Sequence, residues 1–262
     1  MPETNSIPIF LINLDSRADR LTSMATRLGD LPFIRIAAID GQNLNYSEFI
    51  SPITKYNIGA SEIAVMLSHR KIWQKIIDEN IPYACVLEDD VHLSNSFPDF
   101  IRNPNWLPDN FDVIKIETFL NRVFLSLKKK QVRGRVLRQL GSMHSGAAGY
   151  VFSLRGAIKL LDITQQLNCP VDDLMFGVET TKSEFKVMQM FPALCIQEHV
   201  LDPDYSSPSN INIDRLRRRN SSPKTHGIHK LWREIKRPYF QILSLIRLVK
   251  EKLIIVRYVP FK

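Results

Sequence analysis

Residues 83–90, Tyr-Ala-Cys-Val-Leu-Glu-Asp-Asp, form an apolar run that stops in three consecutive acids. A short run with so little alternation reads as a strand buried on both faces, as in a sheet covered by helices. The acids then fall at the carboxyl end of a strand, where such sheets bind ligands. Adjacent carboxylates repel one another, which raises their pKa values and disfavours the fold unless positive charge sits between them. A divalent cation is the natural occupant of Glu88-Asp89-Asp90. Hard oxygen donors select manganese or magnesium over zinc, and such metals bridge carboxylates to substrate phosphates. The competing reading is a solvated acidic turn that caps the next helix.

Outward toward the N-terminus, IPIFLINL (7–14) is a second buried strand, and DSRADRLTSMATRLG (15–29) a helix after it. Asp15 and Ser16 offer N-caps, Leu21, Met24 and Leu28 recur at helical spacing, and Gly29 ends the helix. FIRIAA (33–38) alternates like a strand, with Asp40-Gly41 at its carboxyl end and a loop over 41–57. Ser61 caps a helix with a broad apolar face from Ile63 to Ile77. Toward the C-terminus the pattern predicts a short helix near 96–102 and a strand in FDVIKIE (111–117). A basic loop or hairpin follows over one face (126–140), then a strand in AAGYVFS and a helix over 154–167 with Ile158, Leu161 and Leu167 inward. Strands alternating with helices predict an α/β domain on a mostly parallel sheet.

The chain's 262 residues suffice for one large domain, and three cysteines at wide spacing fit neither a disulfide framework nor a zinc site. Ile7–Leu14 is too short and too interrupted for a signal peptide, so a reducing, cytoplasmic setting is expected. The net charge of +8 is unevenly placed: residues 215–262 hold 14 Lys/Arg against two acids, leaving the rest at −4. That distribution, with no interleaved stacking aromatics, excludes a nucleic-acid-binding domain. Apolar residues at 239, 242, 246, 249, 253 and 256 alternate steps of three and four, the mark of a basic amphipathic helix. Such a helix lies on an anionic membrane surface, packs on the catalytic domain, or pairs two copies as a homodimer. The expected division is a catalytic domain over 1–205, a Ser/Asn/Pro-rich linker over 206–227 and a helical tail over 228–262.

Four ordered stretches carry a resemblance over about residues 7–200: IFLINLDSRADR (9–20), SEIAVMLSHRKIW (61–73), VLEDDV (86–91), and GAAGYVFS (146–153) with PVDDLMF (170–176) after it. The set resembles the family 25 glycosyltransferases, which include lipooligosaccharide glycosyltransferases of Gram-negative bacteria and collagen galactosyltransferases. The family's usual Gly-Cys in the second motif is Ala64-Val65 here, and Gly149 is an extra small residue before Tyr150.

The resemblance implies a GT-A-type, Rossmann-like domain that binds a UDP-sugar on a DxD-like metal element. Asp90 is then the firmest metal ligand, with Asp89 and Glu88 on the metal shell or the ribose. Asn13, Arg17 and Arg20 match the first motif, and an arginine there suits donor phosphate; an exposed helix terminus is the plainer reading. Asp40 either accepts from uracil or ribose, or is an ordinary turn residue. Glu62, Ser68 and His69 share one helix, with Glu62 and His69 seven residues apart on nearly the same face; His69 is a donor-site residue or a buried structural histidine. Inverting transfer needs a carboxylate base, for which Asp172 and Asp173 are the candidates, their alternative being a helix N-cap. His199, in IQEHVLDPD (196–204), is a candidate to complete the metal shell. The partners implied are a UDP-hexose donor, galactose first, and a lipid-linked saccharide acceptor at the inner face of the cytoplasmic membrane.

Overall fold

The computed structural model describes residues 6–45, 49, 58–165, 167, 169–177, 185–202 and 254–262. Strand β1 (Ile9–Asn13) leads to helix α1 (Ala18–Leu28) and strand β2 (Phe33–Ala37). Next come α2 (Ala60–Asp78), β3 (Tyr83–Glu88), β4 (Val91–Leu93) and α3 (Phe97–Arg102). β5 (Val113–Lys115), β6 (Glu117–Thr118), β7 (Arg122–Val132), β8 (Arg135–Leu140) and β9 (Gly149–Ser153) follow. α4 (Leu154–Ile163), α5 (Val171–Phe176), β10 (Val187–Phe191), β11 (Cys195–Gln197), a helical turn at Glu198–Leu201 and β12 (Ile254–Tyr258) complete the described chain.

Nine strands form one sheet in the order β12-β7-β8-β10-β5-β9-β3-β1-β2, and β4-β11-β6 form a smaller one. The fold is mixed α/β. The expectation of a mostly parallel sheet is corrected: β1–β2, β1–β3 and β5–β10 are parallel, whereas β9 runs against both β3 and β5. The far side, β10–β8–β7–β12, is antiparallel throughout. Parallel neighbours need a long crossover, usually a helix. Between β5 and β9 the chain makes the β7–β8 hairpin instead, so β9 enters from the opposite end. That hairpin widens the sheet rather than lying over its face, and turns at Arg133-Gly134, both at positive φ (46° and 77°), the conformation two-residue hairpins favour.

Period-2 alternation splits the buried strands between two cores. Phe10, Ile12, Val86, Tyr150 and Phe152 face α2, α4 and α5 with Trp73, Ile76, Leu160 and Phe176. Ile9, Leu11, Cys85, Leu87 and Val151 face α1 and α3 with Met24, Leu28, Phe97 and Phe100. None of the three cysteines forms a disulfide.

Three local expectations change. Helix α1 is entered through Arg17 with no side-chain cap, so Asp15 and Ser16 do not cap it. Helix α2 begins one residue before Ser61, where Glu62 accepts the Gly59 N–H at 3.0 Å. Ile158 is 52% exposed, while Gly156, Ala157 and Leu160 face inward. A Cβ at Gly156 would lie 2.2 Å from the Asp112 carbonyl oxygen, so α4 packs through its smallest residues.

The amphipathic helix expected over 239–256 falls mostly outside the described residues, as does the 206–227 linker. Its end is a strand: Ile254, Ile255 and Val256 pair antiparallel with Ser126, Leu125 and Phe124 of β7. Three consecutive β-branched residues suit an open sheet edge better than a helix. Thr118 then donates to the Val259 carbonyl (2.6 Å), and Arg135 to that of Lys262, so residues 254–262 belong to the body of the domain. Among the described residues, no helix is long and apolar enough to cross a membrane.

Candidate active site

The parallel register puts Ile12 beside Glu88, so β1 and β3 deliver Asn13 and the acidic triplet to the same edge. Asp89 and Asp90 occupy the turn into β4. Asp89 accepts from Asn13 Nδ2 at 2.7 Å and from Arg20 at 3.1 Å. Gln197 on β11 reaches across the outer acids, its Nε2 lying 3.2 and 3.3 Å from the two Asp90 oxygens and 3.5 Å from Glu88 Oε2. Among the described residues, no group of three His, Cys, Asp or Glu side chains is disposed to hold a metal ion.

Electrostatics mark Glu88 out. Burial, then the negative charges of Asp90, Asp89 and Asp172, push its carboxyl up to about 8, with Arg20 opposing. Asp89 is raised too, by burial, against the pull of Asn13 and Arg20. Like charges crowded on hard oxygen donors suit magnesium or manganese, which take one or two carboxylates plus substrate phosphates rather than an all-protein cage.

Behind Glu88 runs a buried chain of hydrogen bonds. The Trp73 indole N–H donates to Tyr150 Oη (3.0 Å), Tyr150 lies 2.8 Å from His69 Nδ1, and His69 Nε2 lies 3.3 Å from Glu88 Oε1. Burial holds His69 down at about 3, so it is neutral. Indole only donates; the network is therefore satisfied when Tyr150 gives its proton to Nδ1 and Nε2–H points at Glu88. His69 thus orients a triplet acid from within the core.

Asp172, on the first turn of α5, joins the cluster: its charge bears on both Glu88 and His69, and it accepts the Gly146 N–H at 3.0 Å. Neither Asp172 nor Asp173 is the N-cap, which is Pro170.

Other sequence candidates are engaged locally. Arg17 pairs with Asp19 at 2.8 Å, and Asp40 accepts the Gln42 N–H at 2.9 Å within a turn. Ser68 ties the Ile39 N–H (2.9 Å) to the Ala64 carbonyl (2.7 Å), and buried Glu62 caps α2. His199 is exposed and edge-on to Phe119 at 5.5 Å between ring centroids; its neighbour Glu198 donates its N–H to the Asp90 carbonyl at 2.8 Å.

Sequence reasoning missed Gln197, Arg35, Lys115 and Glu117. Lys115 is fully buried, donating to Glu117 (3.0 Å), to the Ser145 carbonyl (2.9 Å) and to that of Gly146. Burial pushes Glu117 up to about 7, with Lys115 pulling it down. The signal was a Lys and a Glu two apart in an otherwise apolar strand run.

The model of glycosyltransferase family 25 (LPS biosynthesis protein) matches residues 6–175. A lacto-N-neotetraose biosynthesis glycosyltransferase, LgtB of Neisseria gonorrhoeae, is 30% identical over 86% of this chain and 89% of its own. LgtB of a Neisseria meningitidis serogroup A strain is 33% identical over 66% of this chain and 69% of its own. The lipooligosaccharide biosynthesis protein lic2B of Haemophilus influenzae is 32% identical over 64% and 66%. Among solved structures, a glycosyltransferase involved in the glycosylation of the major capsid of PBCV-1 covers 73% of this chain and 93% of its own, at a TM-score of 0.39 and 8% identity. The family match spans the triplet, His69, Tyr150 and Asp172 together, and this chain belongs to glycosyltransferase family 25.

Proposed function

We propose that the protein is a GT-A-type, metal-dependent, inverting hexosyltransferase. It moves a hexose, galactose first among the candidates, from a UDP-sugar to a saccharide acceptor of lipooligosaccharide or lipopolysaccharide. The observation that carries this reading is the meeting of Glu88 and Asp90, at the end of β3, with Asp172 of α5: Glu88 is pushed up to about 8 by burial first and then by the charges of Asp90, Asp89 and Asp172. Glu88 and Asp90 would hold manganese or magnesium, which would supply a Lewis acid for the departing diphosphate. Asp172, on a different segment, takes the proton of the acceptor hydroxyl as its oxygen bonds to the anomeric carbon and the bond to the diphosphate oxygen breaks. The Gly146 N–H fixes one oxygen of that carboxylate.

The basic segment before β12 supports a peripheral place on the anionic inner face of the cytoplasmic membrane, where each nearby Lys or Arg contributes about 1 kcal/mol. A truncation that tests this must keep residues 254–262, which the sheet uses.

A screen of UDP-sugars for manganese-dependent hydrolysis by the purified protein tests the function. Release of UDP from one UDP-hexose, abolished by chelator and restored by manganese, is expected. Release that ignores chelator would remove the metal, and binding without turnover of any sugar nucleotide would remove the enzyme.

A further inference from the structure

The three acids of the triplet are held in two different ways. Asp89 has both carboxylate oxygens engaged, one by Asn13 at 2.7 Å and one by Arg20 at 3.1 Å. Asn13 is itself immobilised: only 1% exposed, it gives its amide protons to Asp89 and to the Arg17 carbonyl (2.9 Å), and its oxygen accepts from Arg35 Nε (2.9 Å). Rotating that amide would set its N–H groups against the Arg35 cation and its oxygen against the Asp89 carboxylate, so one orientation alone fits. Glu88 and Asp90, by contrast, share the single amide of Gln197 between them, and Glu88 has one further contact, with neutral His69.

We propose that Asp89 is a positioning residue, clamped by Asn13 and Arg20 to the β1–α1 junction, and that this clamp aims Glu88 and Asp90 as the metal-facing pair. This rests on the metal site proposed above and divides its labour. Asn13 and Arg20 then hold the turn rather than the donor phosphate. The carboxylate–amide pair joins positions 76 residues apart in sequence, fixing the turn after β3 to the end of β1.

A reciprocal exchange tests it. Asn13→Asp alone sets two carboxylates face to face. Asn13→Asp with Asp89→Asn restores an amide–carboxylate pair with its polarity reversed and leaves the net charge of the protein unchanged. Melting temperature in chelator and manganese affinity, read by the paramagnetic resonance of free Mn2+, are measured for wild type, both single variants and the double variant. Asn13→Asp should lower the melting temperature and weaken manganese by about 10–100-fold, the usual cost of losing an outer-shell partner. The double variant should recover most of both. A double variant that regains its melting temperature but not its manganese affinity would show that Asp89 is itself a ligand. No recovery of melting temperature would show that the clamp does not exist in solution. Should Asn13→Asp alone fail to fold, the double variant against wild type still decides. Absence of manganese binding by wild type would overturn the metal site, while the melting temperatures, measured without metal, would still judge the clamp.

Discussion

Half-buried Glu88 and buried Glu117 are both pushed well above the usual carboxylate range, to about 8 and about 7, and they are stabilised in opposite ways. Glu117 has its own cation, Lys115 at 3.0 Å, and the Ala148 N–H at 3.0 Å; neither residue of the pair sees solvent. Glu88 keeps about a quarter of its side chain exposed (24%), and its nearest charges are other acids. An acid that carries its counter-ion within the fold is part of the scaffold. One surrounded by like charges at a strand end would, under the function proposed above, take its counter-charge from a cation that arrives with the substrate.

The contrast breaks most easily at its two ends. Asp90→Asn removes a proposed ligand and relieves repulsion, so turnover should fall roughly 10³-fold while melting temperature holds or rises. Near-normal turnover at saturating donor and manganese would place the metal elsewhere. Lys115→Met should do the reverse, leaving Glu117 buried without its cation and costing about 3–5 kcal/mol of stability. Adding Glu117→Gln should return much of that loss in a denaturant titration, and if it does not, the pair is not the unit described here.

A smaller effect sharpens the reading of α5. Asp172→Asn should slow transfer by about 10²-fold with the donor KM nearly unchanged, and Asp173→Asn by less than about tenfold. Equal losses in the two variants would mean that proximity to Glu88 does not identify the base.

The smallest effect is a pH dependence. A carboxyl raised in the folded state binds its proton more tightly there than in the unfolded chain. Stability therefore falls as pH rises through the window that ends near the folded value of about 8 for Glu88. His69 and His144, both lowered to about 3, act in the other direction but only below their unfolded value of 6.5. Between about pH 7 and 8 the metal-free protein should thus lose up to about 1.4 kcal/mol. Glu88→Gln, or added manganese, should flatten that slope in thermal melts, and an unchanged slope in Glu88→Gln would assign it to another group.

How far the sequence reached depended on which property carried the information. Strands β1 and β3, helix α2 and the position of the triplet follow from local apolar runs, because being buried on both faces leaves a one-dimensional trace. The direction of β9 does not, since AAGYVFS reads the same whichever way it enters the sheet. The pattern puts Ile158 inward with Leu161 and Leu167, but the buried surface of α4 runs through Gly156, Ala157 and Leu160, set by the close approach of Gly156 to the Asp112 carbonyl. Within the site, the acids and Asn13, Arg20 and His69 were legible as residues, but the contacts that join them were not. Gln197 and Arg35 act from segments remote in sequence, and the His69–Tyr150–Trp73 chain exists only once α2 packs on the sheet.

Strand β12 brings the chain back to the sheet, so the described residues on either side of the stretch from Asp202 to Ile254 both belong to one body. A pull on that segment is delivered to the pairing of Ile254 with Ser126, at the bulged part of β7. A single proteolytic cut ahead of β12 would leave that strand held to β7 by their pairing alone, as a separate peptide that dilution can remove from the sheet.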